Sequence, residues 1–189
     1  MKALVLLANG FEEVEGITQI DFLRRGGVEV VSASIHDSKK ITGAHDIHIG
    51  ADETLANVNP DEFDIVVLPG GYGGMMNFKN SEAVAGLLKK FVSENKWIAA
   101  ICASPSVFGV LGLAEGKKCT CYPGFEEEMK GADCTGENVV VDGKMITSKG
   151  PGTSIDFALK MIEILVSKEK ADEVAEAAQY SKYENVREE

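Results

Sequence analysis

Apolar segments of strand length alternate along the chain with segments of helical periodicity. Strands are predicted over Ala3–Ala8, Val28–Ala33, Asp64–Leu68 and Trp97–Ile101. Between and after them, apolar residues recur every three to four positions, which predicts helices over 13–25, 81–95, 153–166 and 169–179. This alternation is typical of a mostly parallel sheet with helices on both faces. We therefore predict a three-layer α/β fold.

Three shorter segments complete the predicted pattern. Ile41–Thr54 has no helical period and predicts a small hairpin or an excursion at the sheet edge, and a short strand is predicted near Cys119–Tyr122. Val139–Thr147 contains an Asp-Gly pair and predicts a β-hairpin. Ser104 and Pro105 have the chemistry of an N-cap and a first helical residue, so a helix should run from there towards residue 111.

Composition narrows the class of protein. The 189 residues fit one domain over 1–189, with a C-terminal helix and a frayed tail from about residue 167. A net charge of -11 disfavours nucleic acid or an anionic membrane as partner. The apolar start of the chain is too short for a signal peptide or a membrane span. The four cysteines lack the spacing of a disulfide framework, so we expect reduced thiols and a cytoplasmic location.

The candidate chemistry lies in three loops that follow predicted parallel strands, over 9–15, 69–74 and 102–105. Ligands of doubly wound sheets bind at the carboxyl ends of the strands, so these loops should converge. Cys102 lies between a strand and a helix start, where the helix field favours thiolate and predicts a lowered pKa. Taken alone, such a cysteine is more often only a small buried apolar residue.

Two neighbouring features favour a functional Cys102. Gly70 and Gly71 bring backbone N–H groups to the same sheet edge, where they could stabilise an anion. Glu12, Glu13 and Glu15 crowd the predicted first turn of the first helix. The helix dipole accounts for two of these acids, but one that points back at the sheet edge would stay protonated and donate a hydrogen bond to sulfur.

Other classes of site fit the sequence less well. A flavin carrier needs a phosphate-binding loop after the first strand, and the carboxylates of that loop would repel phosphate. The C-x-C pair with one distant cysteine does not have a usual zinc spacing, and the three histidines are scattered in a polar segment. We therefore predict no cofactor and no metal.

Four strings in the chain resemble those of a known family. "LANGFEEVEG", "VVLPGGYGG", "AAICASPS" and "TSKGPGTSIDFAL", in this order and spacing, are similar to the ThiJ/PfpI superfamily and to its Parkinson-disease protein (DJ-one) branch. The likeness extends from residue 3 to about residue 165. It implies a flavodoxin-like sandwich and a homodimer, with Cys102 as a strained elbow cysteine, Glu15 as its protonated partner, and the N–H groups of Gly71 and Ala103 as anion-stabilising donors.

This chain departs from the family pattern at three positions. Tyr122 stands where the branch often has a histidine before proline, which puts proton transfer through imidazole in doubt. His45 stands where some relatives carry an arginine near an anion site. Ala103 follows the cysteine where PfpI-type peptidases place a histidine, so a peptidase would lack its general base.

The resemblance leaves two functional classes open. The first is an enzyme of glutathione-independent glyoxalase or deglycase type, in which Cys102 attacks a small 2-oxoaldehyde. The second is a peroxide-responsive redox sensor or chaperone that uses oxidation of the same cysteine. The expected partners are therefore a small carbonyl compound or a peroxide, together with a second copy of the chain.

Overall fold

A computed structural model describes residues 1–181, so the predicted frayed tail over 182–189 lies outside the described residues. The described chain contains one large sheet and two short two-stranded sheets. The strands are β1 (Lys2–Leu7), β2 (Glu29–Ser34), β3 (Lys40–Thr42), β4 (His48–Gly50), β5 (Glu53–Thr54), β6 (Ile65–Leu68), β7 (Trp97–Ile101), β8 (Lys118–Cys119), β9 (Asp133–Cys134), β10 (Val139–Asp142) and β11 (Met145–Ser148). The helices are α1 (Glu13–Arg25), α2 (Tyr72–Lys79), α3 (Glu82–Ser93), α4 (Pro105–Val110), α5 (Ser154–Leu165) and α6 (Lys168–Ala177).

The central sheet has seven strands in the order β10-β11-β7-β6-β1-β2-β5. Every neighbouring pair is parallel except the β10–β11 hairpin. The chain adds β2 on one side of β1 and β6 on the other, so the direction of winding reverses between β1 and β6. A reversal of this kind opens a crevice at the carboxyl ends of the strands.

Two apolar cores lie on opposite faces of this sheet, as successive side chains of β1 illustrate. Leu4 and Leu6 pack into the core under α2, α3 and α4. Ala3, Val5 and Leu7 pack into the core under α1, α5 and α6. A strand buried on both faces is apolar throughout, and this is why the parallel strands could be predicted from unbroken apolar runs. The predicted three-layer α/β fold is confirmed.

The segment over residues 40–54 forms both of the structures expected for it. β3 and β4 pair as a small separate hairpin, and β5 pairs with β2 as the edge strand of the main sheet. The strand predicted near Cys119–Tyr122 is shorter and covers only Lys118–Cys119. No helix among residues 1–181 combines the length and the apolarity needed to cross a bilayer.

α2 was not predicted from the sequence. Gly73 and Gly74 lower the helix propensity of this segment, but both are required by packing. A Cβ on Gly74 would lie 2.8 Å from the Cα of Phe11, and one on Gly73 would lie 3.1 Å from the Cα of Gly10. The glycines therefore let the start of α2 pack directly on the loop between β1 and α1, and Met75 and Phe78 fill the core from this helix.

Candidate active site around Cys102

Cys102 is the residue at which the chain leaves β7, and its backbone is held in the left-handed region with φ of 65°. Its N–H donates to the carbonyl oxygen of Ser148 (2.9 Å), and its own carbonyl oxygen accepts from the N–H of Tyr122 (2.7 Å). A non-glycine residue in this region is strained and persists only where the surroundings hold it. These hydrogen bonds from two other segments hold the elbow that the resemblance implied.

The loop after β6 wraps around the Cys102 side chain. The N–H groups of Gly71 and Ala103 lie close to the Cys102 sulfur, and both lower the pKa of its thiol. Gly71 has φ of 84°, and a side chain there would overlap the backbone of Gly10 and Glu12. A Cβ on Gly70 would lie 2.5 Å from both the Cβ of Cys102 and Oε2 of Glu15. Glycine is therefore needed at both positions for the loop to approach the sulfur.

Glu15 is the acid of the first turn of α1 that points back at the sheet edge. Its side chain is completely buried, and Oε2 accepts a hydrogen bond from the N–H of Gly70 at 2.7 Å. Oε1 is also buried and has no hydrogen-bond partner among the described residues. Because Oε2 is occupied as an acceptor, Oε1 is the oxygen that would carry a proton and donate it towards the adjacent sulfur.

The two side chains perturb each other's ionisation. Burial raises the pKa of Glu15 to about 7, although the hydrogen bonds with Gly70 and Cys102 oppose the rise. Burial and the negative charge of Glu15 raise the pKa of Cys102 to about 12, against the lowering effect of the N–H groups of Gly71 and Ala103. The predicted lowering of the thiol pKa is therefore wrong, because burial and the carboxylate outweigh the two N–H groups. Protonation of Glu15 would remove its charge and with it one of the two main causes of the rise.

Ser104 has a different role from the one predicted. It occupies the N-cap position of α4, but its side chain caps no helical N–H group. Instead, its Oγ donates to the carbonyl oxygen of Pro69 at 2.6 Å, and both partners are buried. This hydrogen bond ties the cysteine turn to the glycine loop. α4 is only six residues long, so the glycine loop rather than a long helix supplies much of the polar surroundings of the sulfur.

An open cavity of about 280 Å³ leads to the sulfur. It is lined by Glu12, Gly71, Tyr72, Cys102, Ala103, Tyr122, Phe125 and Pro151. Tyr122 is one of the lining residues. Its side chain is 46% exposed and packs beside Gly150. Phe125 and Pro151 were not predicted to lie here, because both are far from Cys102 along the chain. A larger depression of about 490 Å³ over α5 and α6 contains no cysteine or histidine.

His45 lies beside the site but is directed at the acids of α1. Its N–H and its Nδ1 contact the two oxygens of Glu13 at 2.7 and 2.8 Å, and Nδ1 lies 3.7 Å from Oε2 of Glu12. The hydrogen bond with Glu13 and the nearby charge of Glu12 raise the pKa of His45. Burial of Glu13 raises its pKa, but the hydrogen bonds from His45 outweigh burial and the pKa is lowered.

The interpretation of Glu12 and Glu13 as mere dipole partners was therefore incomplete. Glu13 anchors the β3–β4 hairpin to α1 through His45, and Glu12 lines the cavity. The ligand atoms of these three residues lie within 4.8 Å of one another, which is close enough to hold a metal ion. The hydrogen bonds between Glu13 and His45 and the charge of Glu12 already account for this arrangement, so we assign no metal site here.

Comparison with known proteins agrees with this geometry. The DJ-1/PfpI family model matches residues 1–164. Protein dj-1beta of Drosophila melanogaster is 44% identical over 175 residues, which cover 92% of this chain and 94% of that protein. A Pyrococcus abyssi protein named as a deglycase is 37% identical, with 87% of this chain and 99% of that protein covered.

Other relatives extend the likeness to a longer protein and to a solved structure. "Protein DJ-1 homolog B" of Arabidopsis thaliana is 40% identical, and the chain spans 40% of its length. The structure described as "Toxoplasma gondii DJ-1, oxidized" superposes with a TM-score of 0.91 at 38% identity, covering 95% of this chain and 98% of that one. The match confirms the flavodoxin-like architecture. The chain belongs to the DJ-1/PfpI family.

Proposed function

We propose that the chain converts small 2-oxoaldehydes to hydroxy acids, with Cys102 as nucleophile and Glu15 as the acid-base group. The observation that carries this proposal is the contact between the Cys102 sulfur and a fully buried Glu15 whose pKa is raised to about 7. A carboxyl that titrates near neutrality can both give and take a proton at working pH. The name of the Pyrococcus abyssi relative supports aldehyde-related chemistry in the family.

The first chemical step forms a carbon–sulfur bond. With the proton on Glu15, the Cys102 thiolate adds to the aldehyde carbon, and the proton passes from Glu15 to the oxygen that receives the electron pair. The product is a hemithioacetal, and Glu15 is left ionised. The N–H groups of Gly71 and Ala103 lie close to the sulfur. They would favour the negative charge that develops on the oxygen of the attacked carbonyl group.

The remaining steps move two protons and add one water molecule. Ionised Glu15 takes the proton from the former aldehyde carbon and returns it to the neighbouring carbonyl carbon. The hydroxyl proton of the hemithioacetal passes to the oxygen of that neighbouring carbon, which leaves a thioester of the hydroxy acid on Cys102. Water then attacks the thioester, the acid leaves, and the thiol is restored. The overall reaction converts one 2-oxoaldehyde and one water molecule to one hydroxy acid. It therefore requires no external oxidant or reductant.

The cavity is consistent with a small substrate. Its volume of about 280 Å³ is at the low end for ligand pockets, and its walls combine the apolar faces of Tyr122 and Phe125 with the carboxylate of Glu12. The carboxylate disfavours anionic substrates. We propose methylglyoxal or glyoxal as test substrates, and we also expect a homodimer, which size-exclusion chromatography would check.

The test is a discontinuous assay of lactate or glycolate with wild type, Cys102→Ser, Glu15→Ala and Tyr122→His purified in parallel. We expect slow turnover in wild type and none with Cys102→Ser or Glu15→Ala. Tyr122→His should raise the rate, because imidazole would add a second group that titrates near neutrality. Equal rates in wild type and Cys102→Ser would reject the enzyme and indicate a contaminating glyoxalase.

The second candidate is a peroxide sensor that uses the same cysteine, and the oxidised state of the Toxoplasma gondii relative favours it. Each hydroperoxide would transfer one oxygen to the sulfur and leave as an alcohol or water, first to sulfenic and then to sulfinic acid. Protonated Glu15 could donate to one sulfinate oxygen, and the N–H groups of Gly71 and Ala103 to the other. A protein without aldehyde turnover that forms a stable two-oxygen adduct would fit this candidate.

A further inference from the structure

Three cysteines outside the proposed active site lie close together behind it. Cys119 is the last residue of β8, Cys134 is the last residue of β9, and the two are direct partners in the register of this parallel pair. Their sulfur atoms are 3.4 Å apart. Cys121 lies two residues further along the chain from Cys119 and is buried. Burial is the first cause of a rise in its pKa, and the nearby Cys134 and Cys102 contribute to the rise.

The backbone of the Cys119–Cys134 pair already has the arrangement that a disulfide needs. Direct partners in adjacent parallel strands have Cα atoms about 4.8 Å apart, which falls within the range seen for disulfides. The ladder is held on both sides of the pair, by Asp133 N–H to Lys117 O (2.8 Å) and by Thr135 N–H to Cys119 O (2.9 Å). The sulfurs must approach from 3.4 Å to about 2.05 Å, a change that side-chain rotation can supply.

The two cysteines differ in access to solvent. Cys119 is fully buried, whereas Cys134 is partly exposed at the end of the short sheet. A dissolved oxidant can therefore reach Cys134 first. Cys119 is then the resolving thiol, already in contact with the sulfur under attack.

We propose that Cys119 and Cys134 form a reversible disulfide on exposure to a low-molecular-weight disulfide such as oxidised glutathione. The Cys134 thiolate attacks one sulfur of the reagent, which forms a mixed disulfide and releases one thiol. Cys119 then attacks the Cys134 sulfur and releases the second thiol. The protein loses two electrons and two protons, and the reagent is reduced to two thiols.

The disulfide would close the segment that forms one wall of the Cys102 cavity. Tyr122 and Phe125 lie between Cys119 and Cys134 in the chain, and both line that cavity. The N–H of Tyr122 also donates to the carbonyl oxygen of Cys102. Joining the ends of this segment reduces its freedom to open, so bulky reagents should reach Cys102 more slowly in the oxidised protein. This consequence depends on the cavity geometry and holds whether or not Cys102 turns over an aldehyde.

The test begins with the full chain carrying Cys102→Ser, so that the proposed nucleophile does not compete. After treatment with oxidised glutathione and removal of the reagent, intact mass should show the loss of two hydrogen atoms. Peptide mapping should link Cys119 to Cys134, and a dithiol reductant should reverse the change. The added change Cys134→Ser should abolish the product, while Cys121→Ser should leave it intact.

Cys134→Ser is the preferred knockout because residue 134 is only partly buried, and circular dichroism would verify its fold. Absence of any intramolecular disulfide, or a link that maps to Cys121, would overturn the proposal. The effect on the cavity is tested in wild type, where mass spectrometry follows addition of a maleimide to the species that has lost two hydrogens and to the reduced species. Slower addition to the oxidised species is expected, and equal rates would overturn the coupling to Cys102.

Discussion

The buried carboxyl of Glu15 makes a quantitative prediction about stability and pH. Its side chain is completely buried, and its pKa is raised from 4.5 to about 7, chiefly by burial. The folded state therefore binds this proton more tightly than the unfolded state does. Stability from this residue is fully present below the unfolded pKa of 4.5 and is lost as the pH rises through about 7.

The size of the effect follows from the two pKa values. A rise from 4.5 to about 7 corresponds to about 3 kcal/mol in total, and about 2.5 kcal/mol of it falls between pH 5 and pH 8. Glu15→Gln removes the titration while keeping the shape, an acceptor for the N–H of Gly70 and a donor towards sulfur. The free energy of unfolding of wild type, relative to that of this variant, should therefore fall by about 2.5 kcal/mol from pH 5 to pH 8.

The assay is urea unfolding of both proteins across this pH range, at one protein concentration because a dimer would make stability depend on it. Glu137→Gln is the matched control, since Glu137 is exposed and its variant should keep the same pH profile as wild type. Parallel stability curves for wild type and Glu15→Gln would refute the reasoning. They would show that Glu15 ionises in the folded protein as readily as in the unfolded chain.

Three further predictions concern the surroundings of the sulfur. Mild hydroperoxide should give a stable two-oxygen adduct on Cys102 in intact-mass spectra. Glu15→Gln and Glu15→Asp should each change the number of oxygen atoms added to Cys102. An unchanged product in both variants would exclude Glu15 as the partner. Gly70→Ala should destabilise the protein by about 1–3 kcal/mol in thermal or urea unfolding, because its methyl group would overlap Cys102 and Glu15. Gly86→Ala in α3 meets no neighbouring atom within 4 Å and should not destabilise, so equal losses in both variants would contradict the packing argument. At neutral pH Cys102 should be the first cysteine alkylated, since the others are more buried or lie away from the cavity. Peptide mapping of a partly alkylated sample measures the order, and earlier alkylation of another cysteine would contradict the prediction.

Much of the fold was predictable because the central parallel strands β1, β6 and β7 are buried on both faces. Continuous apolar runs such as 3–8 and 97–101 have this property, and the intervening helical periods indicate the covering layers. α2 was not predictable in the same way. Gly73 and Gly74 disfavour a helix locally, and they are required only because the loop after β1 lies within contact distance of them.

The sequence by itself also indicated the candidate chemistry of the site, in a cysteine at a strand-to-helix turn, a glycine loop and a cluster of acids. Only the tertiary structure decided the role of each acid. Helical geometry and sheet packing turn Glu15 inward to the N–H of Gly70, while Glu13 is bound to His45 and Glu12 faces the cavity. The ionisation of the site was likewise beyond the sequence, because a pKa depends on burial and on charges that come from distant parts of the chain. The same holds for Cys119 and Cys134, whose sulfurs meet only because two short strands pair in one particular register.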